Sequence, residues 1–139
     1  MEHQEHEEGQ DHQEGLRRQD RVARSLVDEG LKVHRALGPG LLESVYEACL
    51  ARELDLRGLR VCRQVAVPVQ YEGVTLEAGY RLEILVENCV ILEITAVDQL
   101  TRLHEAQLLT YLRLSKIRLG LLMNFNTVLF KHGVRRLAL

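Results

Sequence analysis

Aromatic residues make up only 4% of this chain of 139 residues. Stacking of bases on exposed rings is therefore a poor expectation, and any nucleic-acid recognition has to rest on backbone contacts and shape. No apolar run approaches the roughly 20 residues of a membrane span, which excludes a transmembrane helix. The amino terminus has no apolar signal-peptide segment, so export is not expected and the chain reads as cytoplasmic. Cysteine is scarce too. Cys49, Cys62 and Cys89 are odd in number and scattered, with no CxxC pair. They read as reduced thiols packed in apolar settings rather than as a disulfide or zinc framework. No internal repeat is visible.

What is present describes one folded domain behind a charged tail. Hydrophobic residues are 46% and charged residues 27% of the chain, an ordinary globular balance. A chain of this length forms one core that buries about two-thirds of its unfolded surface. Residues 1–20 hold seven acids against two arginines, a net of −5, so the remainder carries +3 of the whole-chain −2. That Glu/His/Gln-rich tail cannot bury apolar surface and is expected to be mobile, or helical only with a partner. His3, His6 and His12 within it read as solvated side chains before metal ligands. The domain, residues 21–139, is mildly basic, which permits contact with phosphates without demanding it.

Periodicity predicts helices over Val22–Leu37 and Leu41–Arg57, separated by Gly38-Pro39-Gly40. Strands are expected at Arg60–Val69, Val74–Tyr80, Arg81–Val86 and Val90–Thr95, with Gly79 marking a bulge or bend. A third helix over Leu100–Leu114 precedes strands at Arg118–Phe125 and Val128–Leu139, the last bent at His132-Gly133.

The stretch YRLEILVENCVILEITAVD, Tyr80–Asp98, carries the chemistry. Glu83 and Glu93 sit in apolar strands, and alternation puts Glu93 and Thr95 on one face. A carboxylate is costly to bury alone, and two on adjacent strands repel unless a proton or cation lies between them. An acidic pocket of this kind suits Mg²⁺ or Mn²⁺. The other reading stays open on pattern alone: both acids on a solvated face, paired with Arg81 or Arg63. Glu43 stands one turn after the Gly38-Pro39-Gly40 entry, with Tyr46 at i+3. Gln107 and Tyr111 follow at i, i+4 on one helix face with His104.

Gly40-x-x-Glu43-x-x-Tyr46 resembles the signature of the GxxExxY proteins, a branch of the PD-(D/E)XK nuclease superfamily. The likeness runs from about Leu26 to Leu139 and includes LGPGLLESVYEACLARELDLRGL, YRLEILVENCVILE, HEAQLLTYLRL and LGLLMNF. It implies an α/β (α+β) fold with a restriction-endonuclease-like core, a central mixed sheet flanked by helices. It also implies a nuclease that acts on DNA with Mg²⁺ or Mn²⁺ held by Glu43, Glu83 and Glu93. By the same resemblance Glu83 stands where the first metal-binding Asp of an R-x-D pattern is usual. Glu93 is the acid of the E-x-K element, Thr95 replaces its Lys, and Gln107 and Tyr111 form the downstream helix pair. Lys32 or Lys116 would have to supply the missing cation from elsewhere. Arg63, Arg81, Arg102, Arg113 and Lys116 are the candidates for phosphate-backbone contacts. The two departures leave a second class beside the nuclease, a catalytically silent member kept for binding or assembly. Its apolar strands Leu119–Phe125 and Val128–Leu139 would offer an edge to a second copy.

Overall fold

The computed structural model describes residues 2–139, and for residues 2–8 and Ala78 their backbone alone. Helix α1 (Glu2–Leu37) lays Val22, Ala23, Leu26 and Val33 on the core, the stripe expected at helical spacing. Gly30 lies on that stripe because Phe130 is too close for anything larger: a Cβ there would come 2.6 Å from its ring. Helix α2 (Glu43–Leu56) packs beside α1 through Tyr46, Leu50 and Leu54, all fully buried. The two helices are also joined by Lys32 to Glu53 at 2.8 Å and by Arg57 to Glu29 at 3.3 Å. Exposed pairs of this type contribute little, so the apolar seam dominates.

Five strands form one mixed sheet in chain order: β1 (Val61–Tyr71), β2 (Val74–Val86), β3 (Val90–Thr95), β4 (Leu119–Asn124) and β5 (Val134–Ala138). Helix α3 (Arg102–Ser115) crosses over between β3 and β4, which is why that pair alone is parallel. One face of the sheet, carrying Ile84, Val90, Leu92, Ile94, Leu121 and Met123, is covered by α1 and α2. The other, with Leu85, Ile91 and Leu122, is covered by Leu108 and Leu112 of α3. β4 is buried along its whole length, as expected for a central strand covered on both faces.

Several expectations are corrected here. The strands expected separately at Val74–Tyr80 and Arg81–Val86 are one strand, β2. Gly79 passes through it because the β1 register shifts between Val67 and Val69, and a Cβ at 79 would meet Val69 at 2.3 Å. The last expected strand is broken: a 3-10 turn, Phe130–Gly133, precedes the short β5. Phe130 is drawn into the core, where its ring lies 5.4 Å from Phe125. Cys62 is exposed rather than packed in an apolar setting, while Cys89 is buried and Cys49 half-buried; none is paired. No helix among the described residues is long and apolar enough to cross a membrane.

In the structure α1 runs from the packed turns back to Glu2. Helix nucleation is the costly step, and a Glu/Gln-rich extension of an anchored helix only adds propagation. Residues 9–18 are exposed; Arg18 donates to the Glu87 carbonyl at 2.9 Å, and Asp20 pairs with Arg136. The side chains of His3 and His6 lie outside the described residues, and His12 is exposed. Deleting residues 1–14 should lower Tm by less than about 3 °C in thermal denaturation, since those turns bury little apolar surface.

Candidate active site

The pairing of β2 with β3 stops at the site. Backbone partners run Val86–Val90, Leu85–Ile91 and Ile84–Leu92, and the next pair in register is Glu83 and Glu93. There the side chains take over from the ladder. Glu83 Oε2 accepts from the Ile94 N–H at 2.7 Å, and Glu93 Oε1 accepts from the Glu83 N–H at 3.4 Å. Two acids are thus wedged where two strands part. Burial raises the Glu93 carboxyl from its ordinary 4.5 to about 9, reinforced by the negative charge of Glu83. Glu83 rises from 4.5 to about 7, again chiefly through burial, held back by the Ile94 amide. Each carboxyl disfavours ionisation of the other, as expected for two acids that cannot readily both ionise in one site.

Glu43 reaches the same place from the first turn of α2, accepting from the Ala96 N–H at 3.3 Å just beyond β3. The rest of the signature sets that position. Gly40 adopts φ +101, a conformation that glycine takes without strain. Tyr46 is fully buried; its hydroxyl donates to the Gly38 carbonyl at 2.6 Å and accepts from the Leu41 N–H at 3.0 Å. Its ring stacks on Phe125 at 4.6 Å. Tyr46 therefore clamps the loop that launches α2. Tyr46→Phe leaves a carbonyl and an amide to find other partners and should cost about 1–3 kcal/mol in denaturant unfolding.

A cavity of about 420 Å³ opens over the parted strands, lined by Glu43, Glu83, Glu93 and Thr95 on one side and by His104, Gln107 and Tyr111 of α3 on the other. All six residues singled out in the sequence as site residues face this one space. Gln107 Nε2 donates to the Tyr111 hydroxyl at 2.7 Å, and the Tyr111 ring stacks on Tyr80 at 4.7 Å. Thr95 Oγ1 is buried with no hydrogen-bond partner among the described residues. Asn124, buried at the end of β4, holds the chain leaving β3 by bonding both the N–H and carbonyl of Val97.

Three further lining residues were missed or undervalued in the sequence. Gln64 lies in β1 with φ +53 and donates to Glu47 at 2.8 Å. A side chain in that backbone region signals a constrained position, and nothing in an alternating strand announces it. Arg81 contributes the one Lys or Arg side chain on the cavity wall; it shares strand parity with Glu83, a signal that was there to be used. His104 lines the wall one turn before Gln107. The proposed stand-ins for the absent lysine do not reach: Lys32 is bound to Glu53 on the far side of α2, and Lys116 caps α3 and lines a different cleft.

The donor set is all carboxylate oxygen with a neighbouring hydroxyl, the chemistry of a hard divalent cation. Two half-buried acids with raised pKa values beside an unpartnered hydroxyl fit a place where positive charge belongs. As positioned, the carboxylates are engaged by backbone amides, and among the described residues no three Asp, Glu, His or Cys side chains converge as a ligand set.

A mixed sheet covered by helices, with acids where two of its strands part, defines a nuclease-fold protein. The match to a family model over residues 20–137 makes it specific: the chain belongs to the PD-(D/E)XK nuclease superfamily. Its fold is accordingly restriction-endonuclease-like, in a group whose nucleases generally use divalent metals. No curated protein and no solved structure matches the chain.

Proposed function

We propose that the cavity is a divalent-metal-dependent phosphodiesterase centre acting on DNA, one that the loss of a cation at position 95 has left slow. The half-buried Glu83–Glu93 pair, set where β2 and β3 part, carries this reading. A structural protein gains nothing from two carboxyls desolvated against each other, whereas a site that takes up Mg²⁺ or Mn²⁺ does. Glu43, Glu83 and Glu93 would hold the ion. When bound it polarises a phosphodiester and makes a bound water more acidic. Gln107 and Tyr111 position phosphate or water by hydrogen bonds, and Arg81 is the cation nearest to hand. Exposed Arg102, Arg113 and Lys116 supply backbone contacts, while Arg63 is already committed to Glu47 at 2.8 Å. The reading places the protein in the cytoplasm, where its unpaired cysteines stay reduced.

The orphaned Thr95 hydroxyl favours a second reading. A lysine there would orient the attacking water and offset developing charge, and losing one such donor typically costs on the order of 10²–10³-fold in rate. A silent member would keep the fold for binding or for self-association. In that case the β5 edge serves a second copy, since β4 is interior. The test is Mn²⁺ titration by calorimetry beside cleavage of plasmid and single-stranded DNA, for the wild type and Glu93→Gln. Saturable Mn²⁺ binding and weak cleavage, both lost in Glu93→Gln, are expected. Binding of DNA without any metal uptake or cleavage would establish the silent reading instead.

A further inference from the structure

His104 has a second role that its place at the start of α3 conceals. It is the third residue of the helix, and Thr101 is the N-cap. The Thr101 backbone N–H donates to His104 Nδ1 at 3.0 Å, and the Thr101 hydroxyl lies 3.0 Å from the same nitrogen. Glu or Gln commonly fills this position in a capping box, with a side-chain oxygen taking the N–H. Either would satisfy the cap. Histidine differs in what it leaves over: with Nδ1 held as acceptor, the proton of the neutral ring sits on Nε2. No other protein group is bonded to that second nitrogen among the described residues, and His104 lines the acidic cavity beside Gln107 and Tyr111.

We propose that His104 is a phosphate-positioning residue, its Nε2–H donating to a non-bridging oxygen of the phosphodiester that enters the cavity. The proposal rests on the phosphodiesterase reading and gives it a substrate-holding wall. The two sides of the cavity then divide the work. The sheet side, with the carboxyl groups of Glu83 and Glu93, offers oxygens that do not favour a phosphate unless a cation lies between. The α3 side presents side-chain N–H and O–H groups of His104, Gln107 and Tyr111, which donate to a phosphate oxygen without adding charge. The cap bonds fix the imidazole, so the donor is oriented before substrate arrives.

The cap itself supplies the discriminating substitutions. His104→Gln retains an acceptor for the Thr101 N–H and an N–H to spare. His104→Glu retains the acceptor and has nothing to donate. Leu103, adjacent and 76% exposed, is absent from the cavity wall and provides a charge control as Leu103→Glu. The probe is a single-stranded thymidine octanucleotide with Ca²⁺, followed by fluorescence anisotropy. His104→Gln should bind within about threefold of the wild type, and His104→Glu should weaken by at least about tenfold, the scale of a lost hydrogen bond to a charged group. Leu103→Glu should lose no more than about threefold, as expected for screened surface charge. Melting temperatures of both His104 variants should stay within about 2 °C of the wild type, because both keep the cap. Equal binding by His104→Glu and His104→Gln, or equal damage from Leu103→Glu, overturns the assignment while leaving the phosphodiesterase reading standing. Failure of the wild type to bind the probe overturns both.

Discussion

Thr95→Lys combined with Glu83→Asp should raise Mn²⁺-dependent DNA cleavage by an order of magnitude or more, because both changes act inside one cavity. Thr95 shares its strand face with Glu93, and its buried hydroxyl has no partner among the described residues. A lysine there replaces an unsatisfied atom with a charge that the acid pair attracts. That charge lowers the carboxyl pKa values, makes the acids available as ligands at neutral pH, and can orient a water. Shortening Glu83 draws its carboxylate back from the Ile94 amide, which it now meets at 2.7 Å, and on the proposed reading would suit the octahedral geometry of Mg²⁺. Gel assays of plasmid nicking across the wild type, both single variants and the double variant measure the effect. Robust cleavage by the unmodified chain, lost in Glu93→Ala, would defeat the silent reading. No gain in the double variant would show that the pocket has drifted beyond two substitutions and that binding or assembly is the retained role.

Stability should fall as pH rises, opposite to the usual behaviour of carboxylates. Burial lifts the folded-state pKa of Glu83 to about 7 and of Glu93 to about 9, above the ordinary 4.5. The folded chain therefore keeps protons that the unfolded chain has released. This contribution is fully present below about 4.5 and is lost as pH climbs through 7 and then 9. Metal-free Tm should decline across that window, and Glu93→Gln, neutral at every pH, should flatten the decline. At pH 8 that variant should be more stable than the wild type by at least the roughly 1.4 kcal/mol of one pK unit. Mn²⁺ should reverse the trend, since it binds only the deprotonated acids: at 100 times Kd it adds about 2.7 kcal/mol to the folded state. Differential scanning calorimetry from pH 5 to 9, with and without Mn²⁺, checks both halves. A wild-type Tm that is flat or rising, or one unaffected by Glu93→Gln, would show that the two acids are solvated.

The sequence was most legible where periodicity and cost agree. Parity put Glu93 and Thr95 on one face, and the price of desolvation made Glu83 and Glu93 suspicious before any partner was known. The third helix presented Gln107 and Tyr111 as spacing required. What stayed hidden depended on contacts distant in sequence. Nothing in Val128–Leu139 announces that Phe130 will be pulled against Gly30 and break the strand. Gly79 reads as a bulge or bend, but that the irregularity lies in β1 and that β2 runs straight through is visible only once Val69 is placed beside it. Gln64 was invisible for a simpler reason: its unusual backbone sits at a gap in the ladder with β2, between the Arg63–Ile84 and Val65–Leu82 pairs, and no residue type is reserved for such a gap.

The Gly40–Glu43–Tyr46 signature consists of parts with different jobs. Gly40 permits a turn and Tyr46 bolts it shut, while only Glu43 reaches the cavity. A chain that had lost all chemistry would need the glycine and the tyrosine as much as an active one. Possession of the pattern therefore certifies a correctly built frame and says little about turnover. Any sorting of such chains into cutters and non-cutters has to be made on the parted strands, at positions 83, 93 and 95, where the frame has no stake in the outcome.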